Sequence, residues 1–148
     1  MMFITHLAFA LFLGLLAQRI FSLPVFMSVF LALALLGALL PDIDSADSFI
    51  GRKVKPLSIF FKHRGFFHSI IAIVFFTIIV FLIAHNPYYA LAFAFGYLSH
   101  LLLDSLTRGG VAFFWPSKMR TKGIFRTMGI VDLALLLLFA LLDLSWLL

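Results

Sequence analysis

Residues 65–103 read GFFHSIIAIVFFTIIVFLIAHNPYYALAFAFGYLSHLLL, 39 positions without a single Asp, Glu, Lys or Arg. His85-Asn86-Pro87 divides the run into Phe66–Ala84 and Tyr88–Leu106. Each half is close to the ~20 apolar residues that cross ~30 Å of hydrocarbon. Upstream lies a polar loop, Ser45–Arg64, and before it a second apolar run, Val25–Leu40, ending at Pro41-Asp42-Ile43-Asp44. Phe3–Ala17 is apolar except for Thr5 and His6 and lacks the basic region of a signal peptide, so it is expected to be a retained span. Downstream, a second basic loop leads into Met128–Leu148, interrupted only by Asp132 and Asp143.

Composition supports the same reading. Of 148 residues, 64% are hydrophobic and 11% charged, with a mean hydropathy of +1.18. A soluble domain is about 45–50% apolar and about 25% charged. A soluble enzyme, a disordered tail and a disulfide-stapled module are therefore excluded. The sequence predicts one all-α domain over residues 1–148, a polytopic membrane bundle of about five transmembrane helices. Short connections make neighbouring helices antiparallel.

Loop charge sets the expected orientation. With five spans, ten of the eleven Lys and Arg fall in loops two and four, and only Arg19 lies on the other side. The basic-inside rule then places the N-terminus and both loops in the cytoplasm. This accounts for the net charge of +5 without nucleic acid as a partner. At the outer end Arg19 and Asp143 are the only formal charges and are expected to pair. Spans one and two are expected to pack closely through small residues, Ala10, Gly14 and Ala17 against Ala34 and Ala38.

The acidic residues are all Asp, and there is no Cys, so thiolate sites and a Cys nucleophile are excluded. On the five-span topology His6, Asp42, Asp44, His63, His68, His100, Asp104 and Asp132 converge on the cytoplasmic end. Ionisable groups in spans are costly and usually face a bundle interior or cavity. His100 and Asp104 are four apart and share a helix face. An imidazole and a carboxylate one turn apart offer two ligands to a divalent cation. Asp42, Asp44 and His68 add further donors, and such a nitrogen–oxygen set suits Zn, Mn or Fe. Arg64 and Arg108 lie within about a turn of these ligands, and guanidinium groups beside a metal suit a phosphate-bearing substrate.

Thr5-His6, Pro41-Asp42-Ile43-Asp44-Ser45, His63-Arg64-Gly65 with His68-Ser69, Gly96–Thr107, and Gly110-Val111 with Trp115-Pro116 together resemble the YdjM-like family. The resemblance covers nearly the whole chain. It implies a small inner-membrane, multi-pass, metal-dependent hydrolase, distantly similar to zinc-dependent phospholipase C and the single-strand nucleases. By that likeness His6, Asp42, His68, His100 and Asp104 are metal ligands for one or two ions, with zinc favoured. The chain departs from the family at Phe67 and Arg108, and it lacks the further His-x-x-x-Glu pair of the soluble relatives. Asp132 is the only candidate in that region.

The expected function is hydrolysis of a phosphoester in a membrane lipid or amphiphile at the cytoplasmic face by metal-activated water. Asp44, His63, Arg64 and Arg108 are the candidate catalytic groups, with Asp44 or His63 moving the proton. A metal-ion or solute transporter and a non-catalytic scaffold stapled by metal are the competing readings. Transport sites tend to lie near the bilayer midplane, whereas these ligands gather at one end.

Overall fold

Asn86 and Pro87 start the helix around which the others pack. Asn86 Oδ1 accepts from the Tyr88 backbone N–H at 2.9 Å, and Pro87 occupies the first turn, where its missing N–H costs nothing. Just before it, His85 takes a left-handed conformation (φ 50°) that ends the preceding helix. The divider read from the sequence is thus a helix stop and a helix start in three residues.

The computed structural model describes residues 1–45, 65–117 and 119–147. Among them are five α-helices: α1 (Phe3–Phe21), α2 (Met27–Leu39), α3 (Ile70–Ala84), α4 (Pro87–Ser105) and α5 (Ile130–Leu147). Two 3-10 turns, Leu40–Asp44 and Phe66–His68, follow α2 and precede α3. The described residues contain no strand, only a bridge between Thr107 and Phe125 in the loop before α5. The expected all-helical bundle is what forms.

Three stretches, Phe3–Phe21, Met27–Asp44 and Ile130–Leu147, are long and apolar enough to cross a membrane. α3 is apolar but only 15 residues long, because Ser69 caps it through a bond from the Ala72 N–H and the Phe66–His68 turn takes the residues before. α4 has 19 residues, but Ser99, His100, Asp104 and three tyrosines dilute its apolar character. Those polar groups are tolerated because α4 is the interior helix. Ala90, Phe93, Tyr97, Leu101 and Leu103 are all buried, and the Tyr97 hydroxyl donates to the Phe67 carbonyl at 2.7 Å.

α2 and α4 touch at the backbone. A Cβ on Gly37 would overlap the Phe93 carbonyl, and one on Gly96 would overlap the Ala34 carbonyl. Small residues permit this approach in the absence of a hydrophobic drive between membrane helices. α1 packs on α2 as the sequence predicts, with Ala10, Gly14, Ala34 and Ala38 all buried. α1 and α5 run parallel in a seven-residue register: Thr5 meets Asp132, Phe12 meets Phe139, and Arg19 meets Trp146. That repeat is the spacing of left-handed helix packing.

The outer end corrects one expectation. The Arg19 guanidinium lies over the Trp146 ring, 5.7 Å from its centroid, rather than pairing with Asp143. Asp143, about one turn from both Phe139 and Trp146 on α5, is buried, with its Oδ1 in no hydrogen bond. The cation–π contact satisfies Arg19 without drawing its charge into the seam.

The α2–α4 contact makes a testable demand. Gly96→Ala forces two backbones apart and should cost about 1–3 kcal/mol, as overpacking does. Gly14→Ala meets only the tip of Leu31, at 2.8 Å, which can move. Thermal melts in detergent should therefore place Gly96→Ala well below Gly14→Ala. Equal melts would contradict the close approach.

Candidate metal centre

The helices alternate so that α1 begins, α2 ends, α3 begins, α4 ends and α5 begins at one end of the bundle. His6 comes from the first turns of α1, and Asp42 and Asp44 from the 3-10 turn after α2. His68 closes the 3-10 turn before α3, while His100 and Asp104 sit one turn apart near the end of α4. His6, Asp44, His68, His100 and Asp104 are buried. Asp42 is the most open, its side chain 19% exposed, and marks where the cluster meets its surroundings.

The groups lie within a few ångströms of one another. His6 Nε2 is 3.3 Å from Asp104 Oδ1, and His68 Nε2 is 3.7 Å from Asp104 Oδ2. His100 Nε2 lies 3.6 Å from Asp42 Oδ1 and 3.9 Å from Asp104 Oδ2, while His68 Nδ1 lies 3.4 Å from Asp44 Oδ2. The His6 and His100 rings stack at 3.8 Å with 12° between their planes. The Met1 nitrogen also reaches Asp104 Oδ1, at 2.6 Å. Two overlapping sets result, His6–His100–Asp104 and Asp42–His68–His100, each offering ligand atoms within 4.8 Å of one another.

Pro41 explains the orientation of His100. It sits where an i→i−3 donor to the Ala38 carbonyl belongs, and it has no N–H. The carbonyl accepts from His100 Nδ1 at 2.7 Å instead. Nδ1 therefore carries the proton, and the Nε2 lone pair faces Asp42 and Asp104 without a hydrogen bond. A carbonyl holding one imidazole nitrogen while the other is bare is the usual arrangement of a metal-binding His. Asp44, beside His68 Nδ1, is placed to do the same for His68. His6 Nδ1 is likewise buried and without a hydrogen-bond partner. Buried polar atoms left bare are costly, and a divalent cation accepting nitrogen and carboxylate oxygen fits this donor set.

The structure thus brings together His6, Asp42, Asp44, His68, His100 and Asp104. His63 and Arg64 lie outside the described residues. Arg108 is exposed, with its Nε on the Ile124 carbonyl at 3.4 Å and its backbone N–H on the Phe125 carbonyl at 2.9 Å. Asp132 joins neither ligand set and is engaged by Thr5, Met2 and Met128. The Ala38 carbonyl was not legible in sequence, although Pro41 three residues on was its only signal.

A family model described as YdjM inner membrane protein matches residues 1–147. Inner membrane protein YdjM of Escherichia coli (strain K12) is 39% identical over 98 residues, covering 60% of this chain and 50% of that protein. The Shigella flexneri protein of the same name gives the same figures. YvsG of Bacillus subtilis (strain 168) is 36% identical over 94 residues, covering 58% of this chain and 56% of that protein. The chain spans about half the length of these curated relatives. No solved structure matches.

Asp104 contributes to the first set and lies close to three of the imidazoles, so its charge should decide occupancy. Asp104→Asn keeps the shape and removes the charge. Metal content of the purified variant, measured by mass spectrometry, should fall sharply while the protein stays folded. Full occupancy would remove Asp104 from the ligands.

Proposed function

The chain belongs to the YdjM inner membrane protein family, and from that premise we propose that it is a membrane-embedded, metal-dependent hydrolase of phosphoesters in lipids or amphiphiles. The observation that carries this reading is the convergence of six His and Asp side chains, from α1, α4 and the two 3-10 turns, at one end of the bundle. His6, His100 and Asp104 would hold an ion, or Asp42 and His68 would hold it with His100, whose one free ring nitrogen, Nε2, serves a single ion. Zinc fits the nitrogen–oxygen set, with manganese or iron as the alternatives. A divalent ion there supplies Lewis acidity, acidifying water and polarising a phosphoryl oxygen.

The chain's own residues supply the rest. Asp42, at the open side, is where a phosphate head group would enter, and Asp44 or His63 takes the proton from the attacking water. Arg64 and Arg108 are proposed to meet phosphate charge, Arg108 by swinging from the Ile124 carbonyl. Arg108, Arg120, Lys122 and Arg126 share the loop between α4 and α5, which leaves α4 at the cluster end. The basic-inside rule places this end in the cytoplasm, so a lipid of the cytoplasmic leaflet is the proposed substrate.

Two features separate this reading from its rivals. A transport path would need polar groups continuing beyond the midplane. Among the described residues, Asp143 is the one buried polar side chain at the far end. A closed structural zinc site needs four ligands, and two overlapping sets exceed that.

The test is phosphate or head-group release from liposomes of phosphatidic acid, phosphatidylglycerol and phosphatidylethanolamine by reconstituted protein. Release should require added metal, stop with chelator and vanish in His100→Ala. A folded, metal-loaded protein that releases nothing from any of them would favour the scaffold.

A further inference from the structure

A second carboxylate is buried at the start of α5, and none of the chemistry above uses it. Asp132 is fully buried and accepts three hydrogen bonds. Its Oδ1 takes the Thr5 hydroxyl at 2.7 Å, and its Oδ2 takes the backbone N–H groups of Met2 at 2.8 Å and Met128 at 3.0 Å.

Each donor has a reason to need this acceptor. Met2 caps α1 with no side-chain cap of its own, and N–H groups at a helix start have no intrahelical acceptor. A carboxylate supplied by another helix serves as the cap and complements the helix dipole. Met128 is held at φ 60°, a backbone region that residues with side chains rarely adopt. Thr5 is the residue before His6. One carboxylate therefore fixes the first turn of α1 against the entry to α5, in rotation and in height. From that same turn the His6 ring reaches 3.8 Å from His100, nearly parallel to it, with Nε2 3.3 Å from Asp104.

We infer that Asp132 is a positioning residue of the metal centre, clasping α1 to α5 so that the His6 imidazole is held in the first ligand set. The inference rests on the metal-centre reading above. An Asn of the same shape has one acceptor oxygen, so it must lose at least one of the three bonds and turns an NH₂ toward a donor.

Cobalt(II) binding to the purified full chain in detergent tests this through affinity, by chelator competition, and through the visible ligand-field bands. Asp132→Asn should weaken binding by about 10- to 100-fold, the usual effect of losing a group that orients a ligand, and should shift the bands. Thr5→Val should act in the same direction but less, and Thr5→Ser should restore both readouts. In His6→Ala protein, which keeps the second ligand set, Asp132→Asn should change affinity no further. Folded Asp132→Asn and Thr5→Val proteins with unchanged affinity and bands would overturn the inference and leave a purely structural clasp. An equal further loss in the His6→Ala background would also overturn it, because Asp132 would then act independently of His6. If Asp132→Asn does not fold, the Thr5 pair decides. Wild-type protein that takes up no cobalt overturns the metal-centre reading itself, and so is told apart from failure of the clasp alone.

Discussion

A carboxylate buried among apolar helices must be neutralised where it stands, and Asp104 sets that demand for the whole cluster end of this protein. An isolated charge in such surroundings is prohibitive. The chain meets the demand by delivering imidazoles from α1, the turn before α3 and α4 itself to within 4 Å of Asp104. Those imidazoles are bare at His6 Nδ1 and His100 Nε2. Imidazole nitrogens and carboxylate oxygens crowd this end beside one ammonium, that of Met1 on Asp104, and a divalent ion is proposed to complete the set.

The geometry depends on contacts made elsewhere. Gly37 and Gly96 let α2 and α4 approach at the backbone, which brings the Ala38 carbonyl within reach of His100. Pro41 leaves that carbonyl available and turns the chain so that Asp42 and Asp44 face the cluster rather than continuing α2. On the other side, α1 and α5 hold a seven-residue register from Thr5–Asp132 to Arg19–Trp146. The bundle packs so tightly at two glycines because its functional groups come from residues far apart in sequence.

Much of this was legible in the sequence, for physical reasons. Charge-free runs marked the helices because buried and lipid-facing surfaces exclude charge alike, and His85-Asn86-Pro87 carried both a stop and a cap. The candidate ligands stood out because ionisable side chains are rare in such runs, and alternating helix direction then brought them to one end. What sequence could not show was pairing that depends on rotation about a helix axis. Arg19 and Asp143 were matched by charge alone, whereas Arg19 turns to the Trp146 face. Asp132 was placed at the cluster end by its position near the start of a span, with no role fixed, and its rotation on α5 points it at Thr5. The shortness of α3 was hidden because Phe66 and Phe67 are as apolar as the helix that follows them.

X-ray absorption at the metal edge of protein purified without chelator bears most directly on the claim that this cluster is a metal centre. The account predicts at least one tightly held divalent ion per chain, surrounded by nitrogen and oxygen at about 2.0–2.2 Å. The spectrum should carry the multiple scattering of two or more imidazoles. Folded protein that holds no stoichiometric metal, or whose metal shows no imidazole scattering, would contradict it.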